Sequence, residues 1–262
     1  MNILEQIVEH KMNEVAQLRR DYSAADFRSM EYFSQPTRSL RNSLLAHKPF
    51  AIIAELKRSS PSGGMLNASV LPDALASEYE RHGASAISVL TDGKFFSGSV
   101  NDVSCVRKTV SLPLLRKDFI IDYLQVYEAK AYGADAILLI AAILEKNRLD
   151  ELHKLAVELG LECLVEVYER RELDKIDFDA MKLIGINNRD LRTMAIDVNH
   201  SIELSKVIPA GITVVSESGI HTSSDIKSLI DAKIRAALIG EYFMKSTQPG
   251  IALRNLLESA ND

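Results

Sequence analysis

Eight short apolar runs alternate with amphipathic segments from residue 49 onward. That count and order predict an α/β fold: a (β/α)8, or TIM, barrel with an N-terminal helical extension. The runs are FAIIAEL (50–56), SAISVL (85–90), LPLLR (112–116), DAILLI (135–140), LECLVEV (161–167), KLIGIN (182–187), ITVVSE (212–217) and AALIG (236–240). They are apolar nearly throughout, the pattern of parallel strands covered on both faces. No GxGxxG follows the first run, which argues against an open doubly wound sheet. No linker or low-complexity tract interrupts the series, so residues 1–262 read as one domain, with 1–48 the extension and 49–262 the barrel.

Within the extension, Ile3, Leu4, Ile7, Val8, Met12, Val15 and Leu18 recur at helical spacing and predict an amphipathic helix over residues 1–20. QPTRSLRNSL predicts the start of a second short helix. The connecting segments carry helix punctuation. Gly83, Gly133 and Gly160 stand just after the last periodic residue of theirs, and Asp122, Asn199 and Thr222 stand where a cap belongs.

Composition bounds the function. Among 262 residues, 47% are hydrophobic and 26% charged, a balance that excludes intrinsic disorder. Thirty-one basic against 36 acidic residues give a net charge of −5, so no global basic surface awaits nucleic acid or an anionic membrane. The longest apolar stretch, AILLIAAIL (136–144), is too short to span a bilayer, and the first twenty residues lack the apolar core of a signal peptide. Cys105 and Cys163 form no CxxC, and the six histidines show no metal-ligand spacing. Together these predict a cytoplasmic protein without a metal and with no obligatory protein partner evident.

In such a barrel, chemistry gathers at the C-terminal ends of the strands. The residues found there are Glu55 and Lys57, Lys117 and Asp118, Glu166, Asn187 and Arg189, Glu217 with Ser218 and Gly219, and Gly240 with Glu241. Strand ends need turn formers; two lysines, an arginine and several glutamates aimed at one rim suit acid–base catalysis instead. Gly219 and Gly240 follow the seventh and eighth runs, where this fold builds its phosphate cup, which predicts a phosphorylated small-molecule substrate.

The strings themselves are more specific. ELKRSSPSGG, ISVLTDGKFFSGS, PLLRKDFIID, GADAILLIA, LVEVY, GINNRDL, VVSESGI and LIGEYFM, in that order, resemble the indole-3-glycerol-phosphate synthase family over essentially the whole chain. The resemblance implies a carboxy-lyase of tryptophan biosynthesis that needs no cofactor. It would close 1-(2-carboxyphenylamino)-1-deoxyribulose 5-phosphate to indole-3-glycerol phosphate, losing carbon dioxide and water. It implies Lys117 as general acid, Glu55 and Glu166 at the reacting centre and Lys57 near the substrate carboxylate, with Lys57 or Glu166 serving the dehydration. Ser60, Asn187 and Arg189 would position substrate, Phe96 would wall the aromatic ring, and Ser218, Gly219, Gly240 and Glu241 would face the phosphate. The closest rival is another phosphate-binding barrel, an isomerase of an aminoribulose phosphate or a Schiff-base aldolase using Lys117. A barrel that only binds is disfavoured by the intact set of ammonium and carboxylate groups.

Overall fold

The computed structural model describes residues 2–61, 63–67, 70–190 and 192–258; Ser62 of SPSGG and Leu191 of NNRDL lie outside them. Strands β1 (Ala51–Leu56), β2 (Ala86–Leu90), β3 (Leu114–Lys117), β4 (Ala136–Ile140), β5 (Glu162–Val167), β6 (Leu183–Asn187), β7 (Thr213–Glu217) and β8 (Ala236–Ile239) form a closed parallel barrel. β8 closes on β1 through Ala51↔Ala236 to Ala54↔Ile239. The eight apolar runs are these eight strands. β3 starts later than its run because Pro113 has no N–H to give the ladder; its carbonyl accepts from Ile87 N instead.

The helices follow as α1 (Ile3–Asp21), α2 (Ala24–Arg28) and α3 (Leu40–Ala46) ahead of the barrel. Around it come α4 (Pro72–Arg81), α5 (Gly93–Phe96), α6 (Val100–Arg107), α7 (Tyr123–Ala131), α8 (Lys146–Glu158), α9 (Asn199–Ser205), α10 (Ser223–Asp231), α11 (Glu241–Met244) and α12 (Pro249–Glu258). Between β5 and β6 the connection is a 3-10 turn, Arg170–Lys175. None of these helices is long and apolar enough to cross a membrane. Gly83, Gly133 and Gly160 have φ of 96°, 89° and 77°, the left-handed conformation that ends a helix and that side chains disfavour. Asp122 and Thr222 close capping boxes at α7 and α10. Asn199 does not cap: it is the first helical residue of α9, and the Asp197 carboxylate accepts from its N–H at 3.0 Å.

Strand alternation sorts the core into two clusters. Ile52, Ala54, Leu114, Val165, Ile184 and Ala237 face the helices, whereas Ala51, Ile53, Leu115, Leu138, Leu164, Leu183, Val215 and Leu238 fill the barrel. The extension closes both ends of that interior. Leu40 and Leu44 of α3 are fully buried in the inner cluster, plugging the N-terminal end. Ser39 Oγ and Arg41 N donate to the Glu162 carboxylate at 2.6 and 2.8 Å, where β5 begins. At the other end, Ile3, Leu4 and Ile7 of α1 pack on the same cluster from above. The sequence stripe needs one correction here: Met12 is 60% exposed, and the buried position on this face belongs to Lys11.

Because Leu44 plugs the end away from the strand C-termini, Leu44→Ala should cost about 2–5 kcal/mol of stability in urea titration. Below its unfolding range the variant should keep wild-type turnover; a selective loss of activity would show that the plug sets the geometry of the mouth.

Candidate active site

The inward face of the strands carries apolar side chains until the last inward position, where the character changes. Glu55 follows Ile53, Lys117 follows Leu115, Glu166 follows Leu164, Asn187 follows Gly185 and Glu217 follows Val215, each two residues on and therefore on the same face. The C-terminal mouth of the barrel thus presents three carboxyl groups, an ammonium and an amide to a single cavity. All thirteen site residues inferred from sequence line it, with Ile3, Leu4 and Ile7 above and Phe119, Leu138 and Ile140 below and beside them.

Lys117 Nζ lies 3.4 Å from both Glu166 Oε2 and Glu217 Oε2. Glu166 Oε1 accepts from Asn187 Nδ2 at 3.2 Å, and Asn187 Oδ1 in turn accepts from Arg189 N at 3.0 Å. Lys57 Nζ pairs with Glu55 Oε1 at 2.7 Å. Burial pushes the Lys117 ammonium towards losing its proton, but Glu217, Glu166 and Glu55 together outweigh it, and the pKa stands well above that of an ordinary lysine. Glu217 moves the other way for an acid. It is 2% exposed, its Oε1 has no hydrogen-bond partner among the described residues, and burial, with repulsion from Glu166 and Glu55, pushes its carboxyl up to about 8 despite Lys117. Glu217 lines the cavity with its neighbours Ser218 and Gly219, but its carboxyl stands against Lys117.

Two glycines make room for these carboxylates. A Cβ on Gly185 would strike the Glu217 carboxylate, and one on Gly240 would strike that of Glu55. Gly240 therefore serves Glu55 at least as directly as it serves an anion. Gly219 is constrained differently: φ is 79°, a Cβ would meet Ile196, and the preceding Ser218 is itself left-handed at φ 69°. Asn188, buried beneath, donates from Nδ2 to Ser218 O and Ser216 Oγ at 3.0 Å and so fixes this turn. Nothing in its position marks it in the sequence apart from the turn it supports.

At the outer end, Arg189 Nη2 lies 3.2 Å from Glu241 Oε2, and Lys245 Nζ lies 2.6 Å from Glu241 Oε1. These cations hold the Glu241 carboxyl below its ordinary pKa. The opposite wall is aromatic: Phe96, carried by α5, and Phe119 after β3 sit with ring centres 6.1 Å apart. Ser60, in a two-residue hairpin strand after β1, accepts from Gly63 N at 3.0 Å. Among the described residues no cluster of His, Cys, Asp and Glu is arranged to hold a metal ion.

Acid–base groups at the mouth of a (β/α)8 barrel, with an aromatic wall at one side and a cation beside glycine turns at the other, suit an enzyme acting on a phosphorylated small molecule. The comparisons narrow that class. The sequence profile of the indole-3-glycerol phosphate synthase family matches residues 4–256. Indole-3-glycerol phosphate synthase of Desulfotalea psychrophila is 46% identical over 97% of this chain and 98% of its own, and that of Salinibacter ruber 40% over 98% and 95%. The chain belongs to the indole-3-glycerol phosphate synthase family. Among solved structures, the tryptophan synthase alpha subunit of Legionella pneumophila superposes with a TM-score of 0.64 at 13% identity, over 85% of this chain and 98% of its own, a likeness of fold alone.

The site generates two expectations. Glu241→Ser removes a carboxylate that competes for Arg189, so KM for the phosphorylated substrate should fall roughly fivefold, about 1 kcal/mol of relieved repulsion; a raised KM would make Glu241 itself a ligand. Glu217 has its folded pKa raised from 4.5 to about 8, so the folded state holds a proton that the unfolded state releases, and stability from this group is lost as pH rises through that window. The stability of Glu217→Gln relative to wild type, measured by urea unfolding, should therefore increase between pH 5 and pH 8. A flat difference would place the Glu217 proton elsewhere.

Proposed function

We propose that this chain closes 1-(2-carboxyphenylamino)-1-deoxyribulose 5-phosphate to indole-3-glycerol phosphate, and that the Lys117 ammonium, held between Glu166 and Glu217, is the observation that carries the reading. We read residues 1–262 as one functional unit, because α1 roofs the site and α3 plugs the barrel beneath it. The reaction needs a proton delivered to a carbonyl oxygen as a ring carbon attacks the carbonyl carbon. An ammonium held protonated by the acidic side chains around it is suited to that task, and an arginine is not, since its guanidinium gives up a proton far less readily.

The new carbon–carbon bond forms at the ring carbon that bears the carboxylate. The carboxylate then leaves as carbon dioxide, and its bonding electrons restore the aromatic ring. The hydroxyl made from the carbonyl departs as water once it is protonated, while a base takes the proton from the neighbouring carbon and the pyrrole double bond forms. Lys57, paired with Glu55, supplies the proton to the departing hydroxyl, and Glu166, oriented by Asn187, accepts the carbon-bound proton. Atoms and electrons balance without an oxidant or reductant, so no redox cofactor is required. Phe96 and Phe119 flank the anthranilate ring, and Arg189 with the Ser218–Gly219 and Gly240–Glu241 turns faces the phosphate. The rival aldolase needs a lysine with a lowered pKa to attack a carbonyl as a free amine; Lys117 is shifted the opposite way. We assign the enzyme to the cytoplasm, where Cys105 and Cys163, both free, remain reduced.

Formation of the indole chromophore from this substrate by the purified protein tests the reading. Lys117→Arg and Lys117→Met should each lower turnover by at least about a hundredfold, the usual scale for losing an acid–base group, while substrate still binds. An arginine variant that kept most of the rate would reduce Lys117 to an electrostatic contact.

A further inference from the structure

We propose that Lys11 is a positioning residue for this reaction: from helix α1 it sets the placement of Lys117 and Phe96 by gripping Asp118 and Asp92. The inference rests on the reading of Lys117 as the proton donor. Lys11 sits four residues after Ile7 and four before Val15, in the middle of the buried face of α1, and is 2% exposed. A lysine there is not explained by packing, which an apolar side chain would serve without the cost of burying an ammonium. Its charge is answered from three sides. Nζ lies 2.9 Å from Asp118 Oδ1, 3.0 Å from Asp92 Oδ2 and 2.5 Å from Glu14 Oε2.

Both barrel carboxylates stand next to working parts of the site. Asp118 lies between Lys117 and Phe119, which both line the cavity, and its Oδ1 also accepts from Phe119 N at 2.8 Å. Its Oδ2 accepts from Thr91 Oγ1 at 2.5 Å and from Arg116 Nη2 at 3.1 Å; Arg116 is also paired with Glu128. Asp92 caps α5 through Phe95 N at 2.8 Å, and α5 carries Phe96. The same helix that brings Lys11 lays Ile3, Leu4 and Ile7 over the cavity. One ammonium therefore couples the roof, the end of β3 and the aromatic wall. Misplacing a proton donor by a fraction of an ångström costs rate, whereas loosening the apolar roof costs binding. Because Lys11 meets the residue next to Lys117 directly, its loss should fall on kcat.

The test compares full-length Lys11→Met and Lys11→Arg with Arg19→Ala, which breaks the ion pair of α1 with Asp122 at the far end of the same helix. Lys11→Met should lower kcat at least about tenfold with KM within about threefold. It should also speed amide exchange at Phe119, whose N–H is held by Asp118. Lys11→Arg should restore most of the lost kcat, and Arg19→Ala should change neither. If Lys11→Met does not fold, Lys11→Met with Asp92→Asn, which removes the surplus negative charge, should show the same kcat loss. An active wild type with unchanged kcat in the Lys11→Met protein, a loss confined to KM, or an equal loss in Arg19→Ala overturns the inference. A wild type unable to make the indole product overturns the proposed reaction and the kinetic part of this inference with it.

Discussion

Lys117 is the one group whose charge state the rest of the site is built to fix. A single ammonium at the mouth of a largely apolar barrel would lose its proton to escape burial, and Glu55, Glu166 and Glu217 prevent this. Those acids are themselves expensive to bury, and burial of Glu217, whose Oε1 has no hydrogen-bond partner among the described residues, pushes its carboxyl up to about 8. Strand alternation supplies the geometry, since five of the eight strands each deliver one inward polar side chain beyond the apolar filling. The glycines at 185 and 240 then leave the volume that two of the carboxylates occupy. Removing a methyl group's worth of space at either position would displace an acid, not a surface loop.

The extension makes this arrangement possible from both ends. α3 seals the interior below with Leu40 and Leu44 and meets the start of β5 through the half-buried Glu162, so the apolar filling is closed from below. α1 covers the reacting centre with apolar side chains while its one buried charge is tied to the strand ends. Excluding water from the cavity strengthens every electrostatic interaction inside it, including the attraction between Lys117 and its three partners. Roof, floor and reacting layer are consequently interdependent parts of one electrostatic design.

Much of this was legible in the sequence because it depends on local pattern. The eight apolar runs mark the strands, Asp122 and Thr222 mark helix starts, and the polar residue two positions beyond the last inward apolar one identifies Glu55, Lys117 and Glu166. The indole-3-glycerol-phosphate synthase strings added the family and the reaction it implies. What escaped was set by long-range contact. Gly185 looks like any glycine in an apolar strand until Glu217, from the neighbouring strand, is seen to occupy its missing side chain's place. Asn199 has the composition of a cap, but Asp197 reaches the helix first. Lys11 did leave a trace, as a charge at four-residue spacing between Ile7 and Val15, where Met12 alongside it satisfied the apolar pattern and turned out exposed. A charged residue within an amphipathic stripe identifies itself only when its partners, here from the second and third strand ends, are known.

The protonation of Lys117 among its acidic neighbours can be read directly by nitrogen-detected NMR of protein labelled at the lysine Nζ. Lys117, assigned by comparison with Lys117→Met, should retain the ammonium signal through the pH range, near 10.5, in which ordinary lysines lose it. Deprotonation of Lys117 at or below neutral pH would rule out its role as an ammonium donor and return the site to amine chemistry.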